Sequence, residues 1–148
     1  MWGFAESQET APVSPKLYQE FIFPYEKPLL ERFGLNGYGC CEPLNQRWHI
    51  VKQHKNLRRI SCSPWADTKK MAEYLEDKYI FSMKPNPAQL ATSQIDKESI
   101  RKNLKEAFES TKGCVVEVIM KDNHTIDNRP ENAVEWCQIA KEEAEKYA

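Results

Sequence analysis

A chain of 148 residues, 41% hydrophobic and 29% charged, is long enough for one domain with a real core, since a domain of about this size buries roughly 70% of its unfolded surface. Twenty-one Lys and Arg against 22 Asp and Glu leave a formal net charge of −1, which excludes the broad cationic field that nucleic acid or an acidic membrane selects. The one basic cluster, Lys52, His54, Lys55, Arg58 and Arg59, reads as a solvated helix end.

No apolar run approaches the roughly 20 residues of a membrane span, and WGFAESQET at the start lacks the apolar stretch of a signal peptide. Cysteines at 40, 41, 62, 114 and 137 are odd in number and scattered. A cytoplasmic protein with reduced thiols is therefore expected.

The segment SPKLYQEFIFPYEKPLLERF at 14–33 opens with Ser14 as a helix cap and Pro15 at the first helical position, followed by Leu17, Phe21, Tyr25 and Leu29 at steps of four. An interior Pro costs about 3 kcal/mol in a helix, so Pro24 and Pro28 predict two short helices or a kinked one. From Leu35 a strand-like run followed by an amphipathic helix occurs four times. The strands are expected at 35–40, 57–62, 78–83 and 114–120. The first helix is expected from Pro43 to about 54, with Leu44, Trp48 and Val51 inward, and the second at 67–76 with Met71 and Leu75. The third is split into a turn from Pro87 and a helix at 97–111 carrying Ile100, Leu104 and Phe108. The fourth runs from Pro130 to the end with Ala133, Cys137, Ala140, Ala144 and Tyr147 inward. Strand then helix, four times, implies parallel strands joined by crossovers. The fold expected is α/β, one domain over 1–148: four βα units forming half of a TIM-type barrel, preceded by a kinked N-terminal helical segment. One sheet face and two edges would then lack cover, which predicts a homodimer or a complementing N-terminal half-barrel.

In such a sheet functional side chains collect at the C-terminal strand ends. The four junctions read Tyr38 to Glu42, Ser61 to Asp67, Ser82 to Pro87, and Lys121 to Thr125. Alternation puts Tyr38 and Cys40, then Arg59, Ser61 and Ser63, then Ser82 and Lys84, then Glu117 and Lys121 on a polar lumen face. Cys40 there, with Glu42, Asp122 and His124, forms the sulfur, carboxylate and imidazole set that zinc prefers. The expected metal donors are Cys40, Cys41, Glu42 and His124. Lys84, Lys121 and Asp122 are the expected catalytic groups, and Tyr38, Arg59, Ser63, Trp65 and Asn86 the contacts to a small-molecule substrate. Several have a plainer reading: Asp67 and Asn86 as helix caps, Glu42 as a charge at a helix start, Trp65 as a cover for the helix behind it, His124 as an exposed loop residue, and Cys62, Cys114 and Cys137 as core thiols.

The segments SPKLYQEFIFPYEKPLLERFGL, GYGCCEPL, SPWAD, SMKPNPAQLA and IMKDNHTIDNRPENAVEW together resemble the C-terminal half of the uroporphyrinogen decarboxylase-like barrels, across nearly the whole chain. That superfamily includes zinc-dependent methyltransferases acting on corrinoid-bound methyl groups. The resemblance implies a zinc ligand at Cys40, a corrinoid protein as methyl carrier, and methyl transfer to a thiol. Tyr38 stands where those relatives have a second ligand, a His, and no thiol stands near 122–124. The carboxylate-gripping residues of the decarboxylases belong to the front half. A cofactor-free lyase and a non-catalytic half-barrel are the alternatives.

Overall fold

The computed structural model describes residues 1–147. Five strands form one sheet in the order β1-β2-β3-β4-β5, every neighbouring pair parallel. They are β1 (Trp2–Ala5), β2 (Leu35–Tyr38), β3 (Leu57–Cys62), β4 (Ile80–Met83) and β5 (Val115–Val118). Between and after them lie α1 (Pro15–Phe21), α2 (Phe23–Leu30), α3 (Trp48–Val51), α4 (Thr68–Leu75), α5 (Lys97–Ser110) and α6 (Pro130–Glu145), with 3-10 turns at Gln8–Thr10 and Pro87–Leu90. The α/β class and the parallel sheet agree with the expectation. The strand count does not: β1 makes five βα units, and the kinked pair α1–α2 is the crossover from β1 to β2 instead of a preceding appendage.

Local chemistry sets the helix boundaries. Ser14 accepts from the Leu17 amide at the start of α1, and Ile22 separates α1 from α2 two residues before Pro24, whose missing N–H suits a first turn. Asp67 caps α4 through the Lys70 amide and Asp96 caps α5 through the Ser99 amide, each worth about 1 kcal/mol. The helix expected from Pro43 shrinks to the single turn of α3. Asn45 explains part of this, because its side chain both donates to and accepts from the Asp67 backbone and so ties 43–47 into a turn against the next loop.

The core lies on one sheet face. Tyr38, Ile60, Cys62, Phe81 and Met83 are buried there with Met71, Leu75, Ile100, Leu104 and Phe108. On α6 the buried stripe is Asn132, Trp136, Ile139, Ala140 and Glu143, so the helix is rotated from the expected face and Cys137 is exposed, not a core thiol. The large indole of Trp136 decides the rotation, donating to the Gln89 side chain as it packs.

The opposite sheet face is open. It carries Phe4 (54% exposed), Trp2, Leu35 and Val115, with an Arg59–Glu117 ion pair across its middle. Phe4 lies over Gly37, where a Cβ would stand 2.6 Å from the ring. The register between β2 and β3 shifts after Asn36, so that Gly37 faces Arg59 and Tyr38 faces Ile60. This irregularity turns Tyr38 to the helix side and corrects the alternation expected from sequence.

Candidate functional site

The loop after β2 is shaped by two residues. Gly39 has a φ of +93°, a conformation that costs an L side chain energy, and it lets the chain turn off the sheet with Cys40 and Cys41 following directly. Glu42, 2% exposed, folds back so that its carboxylate accepts from the Cys40 amide at 2.8 Å and the Ser7 amide at 3.2 Å. That role satisfies two backbone donors and fixes the cysteine turn. Glu42 is a brace for the site, and it is absent from the donor group described next.

Across the mouth, the chain leaving β5 places Asp122 in a left-handed conformation (φ 53°), which Asp tolerates better than most residues. Its carboxylate accepts from the Cys41 thiol at 2.7 Å, and the two sulfurs stand 3.5 Å apart. Donor atoms of Cys40, Cys41 and Asp122 all lie within 4.8 Å of one another. Among the described residues this is the one group of three or more such side chains that close together. Lys121 enters the same group. Its ammonium is 2.8 Å from Asp122, 3.7 Å from the Cys40 sulfur and in contact with the Cys41 sulfur.

The electrostatics follow from this packing. Burial, with the Glu6 carboxylate and the Cys41 thiol beside it, pushes the Cys40 thiol up to about 12, against a smaller opposing pull from Lys121. The Cys41 hydrogen bond and then Lys121 hold the Asp122 carboxyl below its ordinary value. Burial works against the charge of Lys121, but hydrogen bonds to Asp122 and Cys41 outweigh it, and its pKa is raised. Lys84, which donates to Ser82 at 2.7 Å, is lowered by burial and next by the Arg59 cation, with Glu117 opposing.

The remaining expected residues divide. His124 borders the same hollow as Cys41, Glu42 and Asp122. Arg59 lies on the open sheet face, engaged with Glu117. Tyr38 does not reach the mouth: it is 1% exposed, and its hydroxyl meets Tyr18, Ser7 and Glu26 under the helices. Ser63 and Asn86 border a separate cavity of about 240 Å³ behind β3 and β4, together with Thr68, Gln89 and Asn103. Asn86 caps the 3-10 turn through the Ala88 amide. Trp65 projects outward, 67% exposed.

Sequence reasoning missed Glu6 beside Cys40 and Ser7 behind Glu42, because both follow the unrecognised strand β1. The alternation of Trp2 and Phe4 with small residues was the available signal. Compared with family models, curated proteins and solved structures, the chain matches none.

These three side chains could hold a metal ion. Two sulfurs on a tetrahedral zinc at about 2.3 Å each would stand roughly 3.8 Å apart, close to the 3.5 Å spacing seen here, and a carboxylate is a common third ligand.

Proposed function

We propose that this chain is a uroporphyrinogen decarboxylase-like protein of the methyltransferase type, with a metal-thiolate site at the mouth built from Cys40, Cys41 and Asp122. The observation that carries the reading is the convergence of two thiols and a carboxylate from loops 81 residues apart in sequence, within 4.8 Å. Zinc held there would supply the Lewis acidity that keeps an acceptor thiol deprotonated near neutral pH, and a corrinoid carrier would supply the methyl group. Glu42 holds the cysteine turn in shape. Lys84 or Lys121 presents positive charge to an anionic part of a small substrate. Elemental analysis of protein purified without chelator tests the reading: about one zinc per chain is expected, falling to near zero in Cys41→Ala, and a metal-free parent that also fails to take up added zinc overturns it.

The open sheet face supports the barrel reading in a specific form. A parallel βα barrel has eight strands, so five βα units need three more, a count that a second five-stranded copy exceeds. A segment of three βα units pairing with the free edges of β1 and β5 fits best.

A cofactor-free lyase is the second reading. It is favoured by Lys121, whose ammonium already stands among the three donors and meets the negative charge of Asp122 without a metal.

A further inference from the structure

Cys40 and Cys41 are neighbours in sequence and their sulfurs are 3.5 Å apart, in contact but unbonded. Both thiols are partly exposed, and Cys41 opens onto the hollow bordered by Gln8, Glu9, Asp122 and His124. We infer that this pair is a reversible redox site, closed to a vicinal disulfide by a peroxide and reopened by a small thiol, and that closure withdraws both sulfurs from metal binding. The consequence for metal rests on the metal-thiolate reading, whereas the disulfide chemistry needs only the two thiols.

The placement of each group supports the step. The Cys41 thiol donates to Asp122, and the Lys121 ammonium stands against the same sulfur. The Cys41 thiol gives its proton to solvent and its sulfur attacks one peroxide oxygen: an S–O bond forms, the O–O bond breaks, and the departing hydroxide takes a proton from solvent and leaves as water. The Cys40 sulfur then attacks the resulting sulfenic sulfur; an S–S bond forms, the S–O bond breaks, and the hydroxide leaves as water with the Cys40 proton. Two thiols lose two electrons and the peroxide becomes two waters.

The covalent geometry makes the bond a switch instead of a staple. Adjacent Cα atoms across a trans peptide are about 3.8 Å apart, below the roughly 4.4 to 6.8 Å usual for disulfides, and the chain contains no cis peptide among the described residues. A bond formed there is strained and therefore easily reduced. It also closes almost no chain, so it adds little of the loop-closure stabilisation that a structural disulfide provides.

The test uses the whole chain carrying Cys137→Ser, which removes the exposed thiol that could couple two molecules and leaves four of the five cysteines. After a few equivalents of hydrogen peroxide, denaturation and alkylation, two of the four thiols should have lost reactivity. The unalkylated mass should fall by the two hydrogens removed, the bond should map to the 40–41 peptide, and dithiothreitol should restore all four. Cys41→Ser in the same background should abolish the two-thiol loss. Full alkylation after peroxide, or oxygen addition at 40 and 41 without a disulfide, overturns the inference. Zinc loaded beforehand should protect the pair. If zinc binds and the disulfide forms at an unchanged rate, the link to the metal site is overturned; if zinc does not bind but the disulfide forms, the metal-thiolate reading fails and the redox chemistry stands.

Discussion

Lys121 sits where a cation would balance the donors of the mouth, and this makes it a competitor for any metal. Two unit charges 4 Å apart interact by about 4 kcal/mol at an effective dielectric of about 20, and solvent at the open rim reduces that value. Lys121→Met should therefore tighten zinc binding by about tenfold, read by competition with a chromophoric chelator, and an unchanged affinity would show that the lysine swings clear without cost. A second residue-scale prediction concerns His54. Its side chain is fully buried between Phe23 and Tyr38, neither ring nitrogen has a hydrogen-bond partner, and the nearest carboxylate, Glu26, is 3.9 Å away, with Lys27 and Glu31 further contributors to its field. Burial lowers its pKa below the ordinary value of about 6.5, so as pH falls the unfolded chain takes the proton first. Stability contributed by neutral His54 is complete above about pH 6.5 and declines as pH drops towards the lower folded value. Denaturant titrations from pH 7 to 5 should show this fall, and His54→Phe should flatten it.

The elements near the mouth depend on two positions with no chemistry of their own. Arg47, 4% exposed, precedes α3 and donates to the Thr10 and Val13 carbonyls and the Thr10 hydroxyl, with its guanidinium 4.9 Å above the Tyr18 ring. It pins the loop after β1 against α1 and α3. Hydrogen bonds to a charged group contribute about 1.5 to 3 kcal/mol, so Arg47→Ala should lower unfolding stability by about 2 to 3 kcal/mol, measured by urea denaturation. Gly39 is the second position. An added Cβ would meet Leu44 at 2.9 Å as well as requiring a strained backbone, so Gly39→Ala should destabilise the chain by about 1 to 2 kcal/mol and displace the cysteine turn. A Gly39→Ala variant as stable as the parent would show that the turn has another way to form. The boundaries of α1, α2 and α4 were readable from Ser14, Pro24 and Asp67, because caps and prolines act within a single turn of chain. The truncation of α3 was not, since it follows from Asn45 bonding to Asp67 in a different loop.

For the whole molecule, the open face governs behaviour in solution. Trp2, Phe4, Leu35 and Val115 are each more than two-fifths exposed on a parallel sheet, a class of sheet normally covered on both sides. The isolated chain should associate with rising concentration in light scattering, and Phe4→Lys with Val115→Lys should shift it towards monomer. A parent that stays monomeric at high concentration would mean that this face tolerates water and needs no partner.

The amino-acid sequence by itself determined the alternation of parallel strands and helices, four of the five strands, and the clustering of reactive residues at strand ends, because hydrophobic period, caps and prolines are local. The tertiary structure alone decided that, of the expected groups, Cys40, Cys41 and Asp122 gather while Glu42 turns back to brace the loop, and that Tyr38 faces the core. Those outcomes depend on a register shift between β2 and β3 and on contacts between residues 81 apart, and neither distance nor register is encoded in any single stretch of chain.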